Sequence, residues 1–144
     1  MSASENLPKR LTEIVEEFAL CEGREKLELL LHYAHDLPPL PARLAAQRDS
    51  LEAVPECMTP VFMHTEMTDG QVVFYLDVPE EAPTVRGYAS IIWQGLNQTA
   101  PAQVMAVPVD FYQQMGLQQV LSGQRLNGIR AILGRLKHYA QKHL

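Results

Sequence analysis

From Asn6 onward, Leu11, Ile14, Val15 and Phe18 recur at helical spacing, with Asn6 able to cap and Pro8 tolerated in the first turn. Gly23 breaks that helix, and Leu27, Leu30, Leu31 and Ala34 repeat the stripe until Pro38-Pro39-Leu40-Pro41 stops it. The pair reads as an α-hairpin packed on a core. Residues 42–50 carry mixed charge and few apolar anchors, which predicts a mobile connection with room for one helical turn. Then the period changes to two. Val61, Met63 and Thr65 alternate with Phe62, His64 and Glu66, Asp69-Gly70 supplies a tight turn, and Val72-Val73-Phe74-Tyr75-Leu76 supplies a second strand. A β-hairpin or a three-stranded meander is expected.

Beyond it, Glu80 and Glu81 precede a helix from about Thr84, where negative charge complements the helix dipole. Val85, Tyr88, Ala89, Ile92, Trp93 and Leu96 give this helix a broad apolar face, so it reads as the central buried element, and Gly87 permits close approach of a neighbour. Thr99 before Pro101 marks a further helix start, Pro108 to Met115 another short helix, and Gly116 a stop. Leu126, Ile129, Ile132, Leu133 and Leu136 stripe a last helix, with Arg130, Arg135, Lys137 and Lys142 expected on a solvated face. A small antiparallel sheet of about three strands packed against an N-terminal helix pair and C-terminal helices makes an α+β fold.

With 144 residues, 47% of them apolar, one domain over residues 1–144 is expected. A formal charge of −5 gives no electrostatic reason to expect nucleic acid or an anionic membrane as partner. The start Met1-Ser2-Ala3-Ser4-Glu5 is polar and acidic, and no run approaches a membrane span, which predicts a cytoplasmic protein. Cys21 and Cys57 are then expected as free thiols, Cys21 as filler at the end of the first helix. Neither cysteine has a Cys or His partner at metal-site spacing, and His32 and His35, three apart, read as solvated or partner-facing imidazoles. No metal or nucleotide is implied.

The chemistry-bearing stretch is Val54-Pro55-Glu56-Cys57-Met58-Thr59-Pro60-Val61-Phe62. Pro55 and Pro60 stiffen the chain on either side of Cys57 and place its thiol on a loop just before a strand. The competing reading is a small buried hydrophobe. His64 does not pair with the thiol along the chain, since seven extended residues span about 20 Å.

Three spaced motifs sharpen this. Val54, Pro55, Glu56, Cys57, Thr59, Val61 and Phe62 stand where the SufE family of sulfur acceptors has Val or Ile, any residue, Gly-Cys, a Ser two residues on and Val-Trp. Glu80-Glu81-Ala82-Pro83-Thr84-Val85-Arg86-Gly87-Tyr88 meets its Ser-Asp-Ala and Ile-Val-Arg-Gly-Leu. Met115-Gly116-Leu117, Leu121-Ser122-Gly123-Gln124-Arg125 and Gly128-Ile129 meet its Leu-Gly-Leu, Leu-Ser/Thr-Pro-Ser-Arg and Gly-Leu. The chain resembles that family over almost its whole length, departing at Glu56 for glycine, Phe62 for tryptophan and Gln124 for serine. The resemblance implies the same α+β architecture, with Cys57 carrying a transient persulfide and no other cofactor. It implies a pyridoxal-phosphate cysteine desulfurase (SufS-like or CsdA-like) as donor and activation target, and an iron–sulfur scaffold complex (SufBCD-like) as receiver. Glu81, Arg86 and Arg125 would serve docking or support the Cys57 loop. A monomer or weak homodimer is expected.

Two rivals stand beside that reading: a thiol enzyme acting on a small molecule, which needs an activating base, and a non-catalytic binding module. The resting thiol is expected to fold toward the core among Val54, Met58, Val61 and Phe62. Burial and the neighbouring Glu56 would both disfavour its thiolate.

Overall fold

A computed structural model of the protein describes residues 7–144. The cap expected at Asn6 lies outside the described residues. Helix α1 is Lys9–Ala19, behind Pro8, and buries Leu11, Ile14 and Phe18. Its C-terminal carbonyls are capped from a distance: Lys26 Nζ donates to the carbonyls of Phe18 at 3.1 Å and Cys21 at 2.6 Å. A cation there also complements the helix dipole. Helix α2, Arg24–Ala34, follows with Gly23 at its N-terminal boundary.

Residues 42–50 are tied down, contrary to the mobile connection expected. Helix α3, Ala42–Ala45, buries Leu44, and a 3₁₀ turn spans Arg48–Ser50. Arg43 pairs with Glu66 at 2.6 Å and Arg48 with Asp77 at 2.8 Å, so both charges that suggested a solvated linker instead moor it to the sheet.

The sheet is a three-stranded antiparallel meander in the order β1 (Glu52–Ala53), β2 (Phe62–Thr68), β3 (Gln71–Asp77). Strands β2 and β3 pair along seven positions, from Phe62 with Asp77 to Thr68 with Gln71. Asp69 and Gly70 both take positive φ, +52° and +77°, as a two-residue turn matched to strand twist requires. The outer edge of β3 is closed at Val72 and Phe74. Val72 N–H donates to the Thr99 carbonyl at 2.7 Å, and Gln98 N–H to the Val72 carbonyl at 2.8 Å. Asn97 Oδ1 accepts from Phe74 N–H, and Trp93 Nε1 donates to the Phe74 carbonyl. Thr99 is therefore an edge-closing residue, and its helix, α5, begins at Pro101 and runs to Met105.

Helix α4, Pro83–Leu96, is the central element and packs against α1, α2, β3 and the last helix, α6 (Gly123–Gln141). Tyr88, Ala89, Ile91, Ile92 and Leu96 are wholly buried on it, each large side chain worth about 1.5–3 kcal/mol of transfer free energy. Gly87 makes the α2 contact possible, since a Cβ there would lie 2.2 Å from the Leu30 carbonyl oxygen. The stretch expected as a helix from Pro108 is a 3₁₀ helix, Phe111–Met115, ended by Gly116 at φ +71°. The architecture is the α+β arrangement the pattern predicts.

Candidate functional site

The Cys57 loop is the tip between β1 and β2. Val54 and Val61 are buried at its two ends, and Val54 N–H donates to the Val61 carbonyl across the neck at 2.9 Å. Within it, Pro55 takes the second position of a turn that Cys57 N–H closes onto the Val54 carbonyl at 3.2 Å. The thiol consequently turns inward. Cys57 Sγ donates to the carbonyl of Gly128 on α6 at 3.4 Å. Glycine at 128 leaves room for this approach, because a Cβ there would sit 3.1 Å from Sγ and 3.4 Å from the Cys57 Cα and would crowd the loop.

Burial, and after it the Glu56 carboxylate, push the Cys57 thiol up to about 11 from 9.0. The bond to Gly128 belongs to the protonated thiol alone, since a thiolate has no proton to donate. Burial and Glu56 thus both disfavour the thiolate in the resting site, the direction the loop composition predicts. Met58 departs from that expectation: it is 77% exposed and points away from the core beside the inward-facing cysteine.

Beneath the loop lies a cleft of about 310 Å³. Cys57, Met58 and Thr59 form one wall, Glu81, Ala82, Thr84 and Val85 at the start of α4 a second, and Ser122, Gln124, Arg125 and Gly128 at the start of α6 the third. Arg125 is the one cation lining it and Glu81 the one anion. Ser122 caps α6 by accepting from Arg125 N–H at 3.3 Å, and Arg125 Nη1 donates across to Thr84 Oγ1 at 2.8 Å. That bond fixes the two helix starts against each other.

Thus Cys57, Glu81 and Arg125 come together, while Arg86 does not join them. Its Nε, Nη1 and Nη2 donate to the carbonyls of Ala34 at 3.1 Å, Val78 at 2.7 Å and Leu37 at 3.3 Å. Arg86 braces the end of α2 to the end of β3, and so supports the turn that carries Glu81. His64 does not line the cleft; its Nε2 lies 4.0 Å from Glu66 Oε2. Among the described residues no group of three His, Cys, Asp or Glu side chains could hold a metal ion. No helix among them is long and apolar enough to cross a membrane.

Three features of α6 are not legible in the sequence. Gly128 meets a motif glycine without a role of its own, and only the fold shows the thiol resting on it. Arg135, expected on a solvated face with Lys137, is partly buried: Nη1 pairs with Glu52 at 2.6 Å and Nη2 with Glu56 at 3.4 Å. Lys137 likewise turns in and donates to the Val107 carbonyl. Arg130 and Lys142 are exposed as expected.

Comparison with known proteins agrees with the motif reading. Residues 12–140 match the family model described as SufE, Fe-S metabolism associated domain. A SufE-like protein of Mycobacterium tuberculosis is 44% identical over 138 residues, covering 95% of either chain. One from Synechocystis is 31% identical, covering 88% of this chain and 77% of its own. A hypothetical protein from Thermus thermophilus, solved in solution, superposes with a TM-score of 0.81 at 36% identity, over 95% of this chain and 97% of that one.

Proposed function

The chain belongs to the SufE family, and from that premise we propose that it accepts sulfane sulfur on Cys57 from a pyridoxal-phosphate cysteine desulfurase and carries it to iron–sulfur cluster assembly, stimulating the desulfurase as it does so. The observation that carries the reading is the state of Cys57, a partly buried thiol on a narrow-necked loop, hydrogen-bonded to a backbone carbonyl. Thiol enzymes that act alone keep an activating base against their cysteine. Here the partner of Sγ is a helix carbonyl, which favours the protonated thiol.

The transfer follows. With the loop drawn out of the cleft, the thiol loses its carbonyl partner and its desolvation, and its pKa falls toward that of a free cysteine. The Cys57 thiolate attacks the outer sulfur of the donor's persulfide. A Cys57 S–S bond forms as the donor's S–S bond breaks, the donor leaves as a thiolate, and the proton released by Cys57 is available to it. No outside oxidant or reductant is consumed. Delivery repeats the exchange with Cys57 as the leaving thiolate. Glu81 and Arg125, at the mouth of the same cleft, would meet the docking partner, and the exposed Met58 supplies an apolar contact beside the emerging thiol.

Mass spectrometry after incubation with a desulfurase and cysteine tests this. One extra sulfur on Cys57, retained in Cys21→Ser and lost in Cys57→Ser, is expected. Sulfur on Cys21 with Cys57 dispensable overturns the assignment.

A further inference from the structure

Helix α6 touches the Cys57 loop at two places on one face. Gly128 receives the thiol, and Arg135, seven residues on, receives the Glu56 carboxylate. Seven residues are nearly two helical turns, so the two points lie about 10 Å apart along the axis and within about 20° around it. The first contact is a weak sulfur hydrogen bond. The second is an ion pair whose cation is itself fixed, because Glu52 on β1 holds Arg135 Nη1 at 2.6 Å and leaves Nη2 for Glu56. Arg135 thereby joins the strand before the loop, the loop itself and the helix beneath it.

We propose that Arg135 is a positioning residue for Cys57: through Glu56 it clasps the loop onto α6, and parting this ion pair is a step in presenting the thiol. The residue that makes the clasp possible is Glu56, the position at which this chain departs from the family's glycine, which has no side chain to be held. Arg130 and His138 line the same shallow cleft as Glu52, Glu56 and Arg135, and both are exposed. Neither forms an ion pair with these carboxylates, so Arg135 is the cation the loop is moored to. The inference rests on the carrier reading only for the reason the thiol must be presented.

The test is a double-mutant cycle on the full chain in the Cys21→Ser background, following iodoacetamide labelling of Cys57 at fixed pH by mass spectrometry. Glu56→Gln and Arg135→Gln should each speed labelling by about two- to fivefold, the range expected when a partly exposed ion pair is lost. The double variant should be no faster than Glu56→Gln alone. Because Glu56→Gln also removes a charge beside the thiol, the cycle and not the single variant isolates the clasp. Raising salt from about 0.05 to about 0.5 M should speed labelling of the parent and leave the double variant unchanged. Independent effects that multiply, or a parent indifferent to salt, would overturn the clasp. Should Arg135→Gln melt early, Arg135→Lys keeps the charge without the fork that spans two carboxylates; labelling at the parental rate would then overturn it. No desulfurase is present in these measurements. A Cys57 that never takes sulfur while the cycle shows coupling sinks the carrier and leaves the clasp standing.

Discussion

The two hairpins of the sheet share strand β2 and are built in opposite ways. The β2–β3 hairpin pairs over seven positions, turns through two residues, and has its outer edge fastened by Trp93, Asn97, Gln98 and Thr99. The β1–β2 hairpin pairs at two positions, Glu52 with Met63 and Ala53 with Phe62, and its tip is held by side chains reaching α6. Backbone ladders are cooperative and hard to open piecemeal, whereas a loop held by one thiol and one ion pair can detach without disturbing its flanking strands. Cys57, the proposed sulfur carrier, sits on the second kind of hairpin. On the proposed function, stability and reactivity are assigned to different turns of one meander.

The comparison predicts first that labelling of Cys57 should be slow and steeply dependent on pH. With the thiol at about 11 against 9.0 for a free group, the thiolate fraction at neutral pH is about a hundredfold lower, and the rate should climb until the pH passes that value. The same shift makes a sign prediction for folding. The folded chain favours the protonated thiol, so Cys57 contributes stability below pH 9 that is lost as pH rises toward 11. A cognate desulfurase should accelerate labelling at neutral pH; fast labelling in isolation would place the thiol outside the cleft.

A paired glycine experiment comes next. Gly128→Ala adds a Cβ 3.1 Å from Sγ, and the loop, being the softer side, should give way. Labelling should rise about tenfold with stability changed by about 1 kcal/mol or less, since helix propensity offsets part of the crowding. Gly70→Val does the reverse: at φ +77° with open space around it, it should lower stability by about 1–2 kcal/mol and leave labelling unchanged. If each variant moved the other's quantity, the two hairpins would not be independent.

The smallest effects are expected at the cleft mouth. Arg125→Glu and Glu81→Arg should weaken apparent affinity for the desulfurase about three- to tenfold, with chemical stability altered by about 1 kcal/mol at most. Titration against the partner and a melting curve, read together, check the ranking. Arg125 is the sterner case because its bond to Thr84 joins α4 to α6.

Much of this was legible in the chain because it is written locally. Prolines 55 and 60 announce the loop, Asp69-Gly70 the tight hairpin, and the spaced apolar residues of α1, α2, α4 and α6 their buried faces. What was not legible depends on distant partners. Strand β1 has two residues, too few for any period, and exists because β2 lies beside it. Arg43 and Arg48 read as linker charges until Glu66 and Asp77 come within reach. Arg86, Arg125 and Arg135 are alike in sequence and take three different tasks: one braces carbonyls, one spans two helix starts, one holds a carboxylate beside the thiol. No spacing along the chain distinguishes them.

The fastened edge of β3 also bears on how such a protein fares in a crowded solution. Exposed strand edges invite other chains to add on, and unguarded ones seed aggregates. Here the outward backbone groups of Val72 and Phe74 are already taken by Thr99, Gln98, Asn97 and Trp93, all near the end of α4 or just past it. A stray strand arriving there would have to displace tethered neighbours before gaining a single bond. Shedding that edge, for example through Asn97→Ala, should show first as turbidity on concentration and only later as a change at Cys57.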